Sequence, residues 1–344
     1  PPSMQRWGPA ASWKLPAIRT AAELAEWLGI TLTELRWFAD CRSLETKRVT
    51  ERQCHYHYRL LKKRFGRVRL IEAPKSRLKR IQRRLLDGIL ANVPPHSATH
   101  GFRKGRSILT FAAPHVGQRV VLRIDLEDFF PSIESRRVAA LFRTIGYPDA
   151  VATLLTGLCT NSSPPDIWHE LSADRTLADI RELQQRYTNV HLPQGAPTSP
   201  ALANLCAYRL DCRLFGLASS VAATYTRYAD DLVFSGDGQF ERCAIRFRNH
   251  VYATAMEEGF RIHTRKTRVM RQGVRQYVAG LVVNQHLNLC RADVDRLKAT
   301  LTNCVRHGPE SQNRANVVNF RAHLEGRVSF IQLVNPARGL SLIH

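Results

Sequence analysis

Thr224-Tyr225-Thr226-Arg227-Tyr228-Ala229-Asp230-Asp231-Leu232-Val233-Phe234-Ser235 is the stretch on which the reading of the whole chain turns. Residues 224–228 and 232–235 are short β-rich runs, and the few residues between them fit a hairpin turn. That turn carries two adjacent carboxylates, Asp230 and Asp231. A third acid, Asp125, lies near the end of the apolar run 116–126 (VGQRVVLRIDL), which reads as a buried strand. Carboxylates at the ends of buried strands are costly unless they are paired or hold a metal. Asp125 beside Asp230 in neighbouring strands would form an all-oxygen site of the kind that suits Mg²⁺. Two such ions about 3.5–4 Å apart can activate an attacking hydroxyl and stabilise the leaving oxygen of an in-line phosphoryl displacement. Asp-Asp is also a common exposed turn former, so the pair alone does not decide the chemistry.

Outward from the hairpin, apolar spacing predicts two short helices over 21–40, separated at Gly29, with Thr31 as an N-cap. Residues 54–61 and 68–73 read as strands around a turn at Gly66, and 77–90 as a helix striped by Leu78, Ile81, Leu85 and Ile89. Helices are expected over 136–160, 202–215, 240–260, 291–306 and 312–333, and strands over 260–263 and 277–283. The stretch 161–191 is polar and Pro-bearing, an insertion of loops around one helix. His55, His57 and His263 alternate with strand formers and read as sheet residues rather than ligands. The order is α+β: a helix-packed antiparallel sheet with a helical tail.

The chain of 344 residues is 44% hydrophobic and 23% charged, which excludes disorder or coiled coil as a description of the whole. No apolar run approaches the roughly 18 residues of a membrane helix, and no signal-peptide pattern opens the chain. Charge is what departs from the average: 51 Lys+Arg against 29 Asp+Glu, or +22. Such an excess repels itself unless a polyanion sits against it, so nucleic acid is the leading partner, ahead of an anionic membrane. Residues 42–84 hold 16 of the bases and three acids, Glu45, Glu51 and Glu72, as befits a surface that grips phosphates. The eight cysteines show no zinc-knuckle spacing and read as reduced thiols of a cytoplasmic protein. The chain opens on Pro1 rather than Met, which leaves room for residues upstream.

The neighbours of the acids decide between a surface turn and a metal site. Tyr228-Ala229-Asp230-Asp231 resembles the YxDD box of reverse transcriptases. Ile124-Asp125-Leu126-Glu127-Asp128-Phe129-Phe130-Pro131-Ser132 resembles the first carboxylate motif of the bacterial members. Leu192-Pro193-Gln194-Gly195-Ala196-Pro197-Thr198-Ser199-Pro200 resembles their LPQGxxxSP loop, and His100-Gly101-Phe102-Arg103 their HGFR segment. Arg67-Val68-Arg69-Leu70-Ile71 resembles their G(K/R)xRxI strand, and Lys266-Thr267 stands where the fourth palm motif places its lysine. Six motifs in family order span about 55 to 283.

The resemblance implies a right-hand polymerase fold: an N-terminal helical segment 1–50, fingers 51–115, an antiparallel-sheet palm 116–284 with the insertion 161–191 and fingers-contacting parts, and a helical thumb 285–344. It implies an RNA-directed DNA polymerase with two Mg²⁺ ions. Asp125, Asp230 and Asp231 match the catalytic, metal-binding carboxylates, with Leu126 beside Asp125 in the metal site and Asp231 more a charge partner than a ligand. Arg67 and Arg69 match positions that hold the dNTP triphosphate, where forked guanidinium donors suit phosphate oxygens. Phe130 matches the position under the nucleotide sugar, where a ring excludes a 2′-OH, while Phe129 reads as core. Gln194 matches the lining of the incoming nucleotide, and Lys266 a group that protonates pyrophosphate or touches template. Lys75, Arg77, Lys79, Arg80, Arg103 and Arg106 are assigned to nucleic-acid binding, the first four suiting substrate and template phosphates equally.

The helix pair, the compact length and the tail 324–330 resemble retron reverse transcriptases, which copy part of a partner non-coding RNA into a small RNA-linked DNA from a guanosine 2′-OH. Their products work with an effector protein in antiphage defence, so these partners, but no membrane, are expected here. Two details depart from that pattern. Ala112-Ala113-Pro114-His115 lacks the Asn that often opens this retron motif, and Val278-Ala279-Gly280 lacks the threonine hydroxyl of Val-Thr-Gly. RNA recognition is expected on 285–344 and around 112–115. The alternatives are another bacterial defence-associated or group II intron-like reverse transcriptase, or a non-catalytic RNA-binding scaffold. No maturase-like or HNH-type cassette follows the expected thumb, and the intact acids and Gln194 argue against a scaffold.

Overall fold

The computed structural model describes residues 4, 8–44, 53–62, 68–171 and 184–342. They form two compact units that each draw on separated stretches of chain. The first comprises Pro1–Phe102, Leu126–Arg213 and Thr254–Ile262; the second Arg103–Asp125, Leu214–Ala253 and His263–His344.

In the first unit the helices Ala21–Leu28 and Leu32–Ala39 fall where the periodicity put them. Thr31 closes a capping box: its hydroxyl accepts from the Glu34 N–H at 3.1 Å, and the Glu34 carboxylate accepts from the Thr31 N–H at 3.0 Å. Strand β1 (Tyr56–Lys62) pairs antiparallel with β2 (Val68–Pro74); Gly66 lies outside the described residues. Val68 and Leu70 point from β2 into a small core with Trp168 and Tyr187. The insertion 161–191 is thus partly structural, because its aromatics supply the floor under β2. The helix Ser76–Gly88 buries Leu78, Ile81 and Leu85 and turns Lys79, Arg80 and Arg83 outward.

The expected helix 136–160 is two, Ser135–Thr144 and Asp149–Cys159. The first ends at Ile145 with Gly146 at φ 110°, a conformation that favours glycine, and Pro148 opens the second. The expected helix 202–215 likewise divides between Ser199–Cys206 and Tyr208–Ser219.

The second unit is built on β3 (Val120–Glu127), whose last two residues belong to the first unit. Within the second unit the strand order is β4 (Thr224–Tyr228), β5 (Asp231–Gly236), β3, then Arg268–Arg271, all antiparallel. Arg268–Arg271 was not foreseen, because Arg-Val-Met-Arg buries one side chain only and carries no apolar alternation worth reading. In the first unit, Leu126 and Glu127 pair with the two-residue strand Arg261–Ile262. Phe111, Val121, Val233, Val278, Leu281 and Val283 form a core beneath the sheet of the second unit.

His115 belongs to that interior and is fully buried. One ring nitrogen meets the Ser235 hydroxyl at 2.6 Å and the other the Thr226 hydroxyl at 2.7 Å, which pins the segment before β3 onto β4 and β5. Ala112 and His115 thus face the protein core, while Ala113 and Pro114 between them are exposed and are the part of this segment open to the expected RNA contact. Ala279 and Gly280 are the turn of a small hairpin, Tyr277–Val278 against Leu281–Val282, with φ of 45° and 91°. The tail holds the helices Arg291–His307, Phe320–Val334 and Pro336–Leu340. The expected helix 312–333 starts only at Phe320, because the Asn319 side chain caps it. No helix among the described residues is long and apolar enough to cross a membrane.

Candidate active site

In the second unit the β3–β5 register sets Asp125 directly opposite Asp231. Asp230 follows Ala229, whose φ of 54° makes the tight turn of the β4–β5 hairpin. A fully buried Arg227 donates from Nη1 to the Ala229 carbonyl at 3.1 Å, so a guanidinium holds the turn from below. Asp125 is 5% exposed. Its two carboxylate oxygens accept from Lys266 Nζ at 2.8 and 3.0 Å. Lys266 stands on the turn Thr264–Lys266, reached from His263, whose N–H donates to the Asp125 carbonyl at 2.8 Å. Asp231 is gripped by Arg123, with Nε and Nη2 each 2.9 Å from one carboxylate oxygen. Arg123 and Asp125 are two apart on β3 and so share a face.

Burial, the charge of Asp125 and that of Asp231, in that order, push the Asp230 carboxyl up to about 6. Burial also raises Asp231, against the opposing pull of Arg123. Among the described residues no three His, Cys, Asp or Glu side chains stand ready-made as a metal cluster; Lys266 and Arg123 engage two of the three acids here. The donor set nevertheless fits a hard divalent cation. It is all oxygen, partly desolvated, and carries the carboxylate repulsion that such a cation relieves. Leu126, the remaining residue assigned to the metal site, is buried next to Asp125 and pairs with Ile262 in the first unit.

A raised carboxyl pKa means that protons would compete with any cation bound at Asp230 as pH falls through about 6. Mn²⁺ or Mg²⁺ affinity, followed by calorimetry, is therefore expected to weaken about tenfold between pH 7.5 and 5. The stability contribution runs the other way in the metal-free protein. What a protonated Asp230 contributes is present in full below the unfolded value of 3.8 and is lost as pH rises through about 6. Affinity flat across that range would place the raised carboxyl elsewhere.

Of the nucleotide-facing candidates, Arg69, Phe130 and Gln194 lie in the first unit and Lys266 in the second. Arg69 is on β2, and its Nε is buried with no hydrogen-bond partner among the described residues, as suits a donor meant for an anion. Arg67 falls outside the described residues. The Glu72 N–H donates to the Gln194 carbonyl at 3.0 Å, tying β2 to the loop 192–198. Gly195 has φ of 140°, and a Cβ there would stand 2.8 Å from the Glu72 carbonyl, so only glycine fits. Phe130 is half-buried, its ring 5.7 Å from Phe129 and 6.3 Å from Phe102, whereas Phe129 is core.

Of the basic candidates, Lys79 and Arg80 are exposed and Lys75 half-buried; Arg77 is tied to Glu34 at 3.0 Å. Arg103 and Arg106 lie in the second unit, before the short helix Ile108–Ala112.

Sequence reasoning missed Arg123, Arg227, the pair Glu72–His191, and Arg186, which engages Glu127 at 3.4 Å and also Asp128. A usable signal existed only for Arg123, from its i, i+2 spacing to Asp125. The others depend on pairings across 58 to 119 residues of chain or, for Arg227, on a fold that buries a basic side chain.

Residues 60–291 match the family described as reverse transcriptase (RNA-dependent DNA polymerase). The chain is similar to the Retron Mx65 reverse transcriptase of Myxococcus xanthus, 40% identical over 95% of this chain and 71% of that protein. It is 36% identical to the Retron Mx162 reverse transcriptase of the same organism, over 96% of this chain and 67% of that one. It is 34% identical to the Retron Ec86 reverse transcriptase of Escherichia coli, over 71% of this chain and 68% of that one.

Proposed function

We propose, for a chain that belongs to the reverse transcriptase family and to its retron members, that Asp125 and Asp230 are the carboxylates that bind the metal and carry the chemistry. The chain is an RNA-directed DNA polymerase with a right-hand α+β fold, copying a partner non-coding RNA into a small RNA-linked DNA. Its partners are RNA and DNA, and enzymes of this family use divalent metal ions. The finer reading is that two Mg²⁺ ions serve, with Asp125, Leu126 and Asp230 as the residues that would hold them and Asp231 beside them. The observation that carries it is the register of Asp125 opposite Asp231, with Asp230 at the adjoining turn.

Ions held there would supply a lowered pKa at the attacking hydroxyl and charge neutralisation at the reacting phosphates. The protein's own residues do the rest. Arg123 orients Asp231 and opposes the rise that burial imposes on its carboxyl, making Asp231 a charge partner. Arg227 fixes the turn that aims Asp230. The Lys266 ammonium, after leaving Asp125, is the proton donor to the leaving pyrophosphate. Arg69 and Arg67 take the triphosphate of an incoming dNTP, Gln194 lines its base and sugar, and Phe130 bars a 2′-OH. Lys75, Arg77, Lys79, Arg80, Arg103 and Arg106 hold template and primer phosphates, Arg77 after leaving Glu34. The tail 285–342 is the surface that selects the RNA. Action in the cytoplasm, with an effector protein and in antiphage defence, belongs to the same proposal.

The test of the retron reading is the linkage of the product. Nucleic acid recovered from cells expressing the chain with its RNA is expected to contain DNA joined to RNA through a 2′,5′ bond that a debranching enzyme cuts. DNA made only from annealed 3′-OH primers, with no branched species, would leave the polymerase in place and overturn retron priming.

A further inference from the structure

The first unit buries an ion pair that polymerisation chemistry does not itself require. Glu72 and His191 are both fully buried, with Nε2 of the imidazole 3.0 Å from one Glu72 carboxylate oxygen. The other carboxylate oxygen accepts from Asn161 Nδ2 at 2.8 Å and from the Ser163 hydroxyl at 3.2 Å. His191 Nδ1 lies 2.7 Å from the Asn189 carbonyl, which can only accept, so Nδ1 carries a proton. A second proton must then sit between Nε2 and the carboxylate, because two lone pairs do not face each other at 3.0 Å in a dry interior. Burial pulls the imidazole pKa down and Glu72 pulls it up; the net direction is up.

The position of the pair gives it a task. Glu72 is three residues along β2 from Arg69, and His191 is three residues before Gln194. The same Glu72 binds the Gln194 carbonyl through its N–H, and its own carbonyl presses on Gly195. His191 exchanges both backbone bonds with Asn161 at 2.9 Å, and the Leu192 N–H donates to Ile133, three residues after Phe130. The segments bearing Arg69, Gln194 and Phe130 are thus stitched together at one buried point.

We propose that Glu72 and His191 are positioning residues that lock the triphosphate-holding strand to the nucleotide-lining loop, and so set the affinity for the incoming dNTP. This rests on the reading of Arg69 and Gln194 as dNTP-binding. Where that reading holds, a misplacement of about 1 Å between them costs up to about a hundredfold.

The experiment is steady-state primer extension on an RNA template, giving the KM for dNTP, kcat and the Kd for template–primer. Glu72→Ala and His191→Ala are expected to raise the dNTP KM about tenfold, with template–primer Kd within about twofold of wild type. Partial unfolding would lower the active fraction and kcat but not raise this KM. Glu72→Gln is the conservative rescue. Its carbonyl accepts from Asn161 and Ser163 while its amide donates to a neutral His191, so its KM is expected near wild type. Should both alanine variants fail to fold, His191→Asn and Glu72→Gln carry the comparison, the first expected to raise KM and the second not. A wild-type KM in Glu72→Ala or His191→Asn overturns the proposal, as does a Glu72→Gln KM as high as that of Glu72→Ala. Arg69→Ala and Gln194→Ala separate the layers. If they raise the dNTP KM and the Glu72 and His191 variants do not, the lock alone is wrong; if they too leave it unchanged, the dNTP-binding reading is wrong.

Discussion

Asp230→Asn is expected to slow template-directed DNA synthesis by at least about a thousandfold, roughly 4 kcal/mol of transition-state stabilisation, while leaving the fold and RNA binding intact. The amide is nearly isosteric, and it replaces a carboxyl that burial and the charges of Asp125 and Asp231 push up to about 6. The metal-free variant should therefore be no less stable than wild type at neutral pH, which separates loss of chemistry from loss of structure. RNA binding draws on basic groups spread over the chain and should not change. Single-turnover extension, with a melting curve on the same preparation, checks this. Synthesis at anything near the wild-type rate would remove Asp230 from the metal site.

Phe130→Ala is expected to relax the discrimination between dNTP and rNTP by about a hundredfold, roughly 2.7 kcal/mol. The ring is half-buried, edgewise on Phe129 and 6.3 Å from Phe102, whereas Phe129 is fully in the core. Truncation removes a wall more than a core residue, so dNTP incorporation should fall little and stability by about 1–3 kcal/mol. The ratio of kcat/KM values for dCTP and CTP measures it. Unchanged rejection of CTP by a stably folded variant would assign the gate to another side chain.

The hairpin 224–235 and the strand ending at Asp125 could be read from the chain because their signals are local. β-rich runs flank a short turn, and an apolar run ends in acid. The two N-terminal helices were equally readable, since Thr31 and Glu34 state their own cap. What escaped was non-local. Arg268–Arg271 joins the sheet through β3, and nothing in its own four residues announces a strand. The polar look of 161–191 concealed Trp168, Tyr187 and His191, whose burial is decided by β2 about a hundred residues earlier. Glu72 counted as one of three acids in a basic tract, yet it is fully buried and paired. His115 reads as a motif residue open to RNA, and only the sheet shows it spent on Ser235 and Thr226. Ion pairs such as Arg123–Asp231 need the register before they can be seen at all.

The most direct measurement offers the purified wild-type chain a mixed-sequence RNA template with an annealed primer, all four dNTPs and Mg²⁺, and sequences what is made. The expected product is DNA complementary to the template, formed only with the divalent ion present. A folded, RNA-bound protein that adds no nucleotide, or adds nucleotides without regard to the template, would contradict the assignment of Asp125 and Asp230 to RNA-directed DNA synthesis.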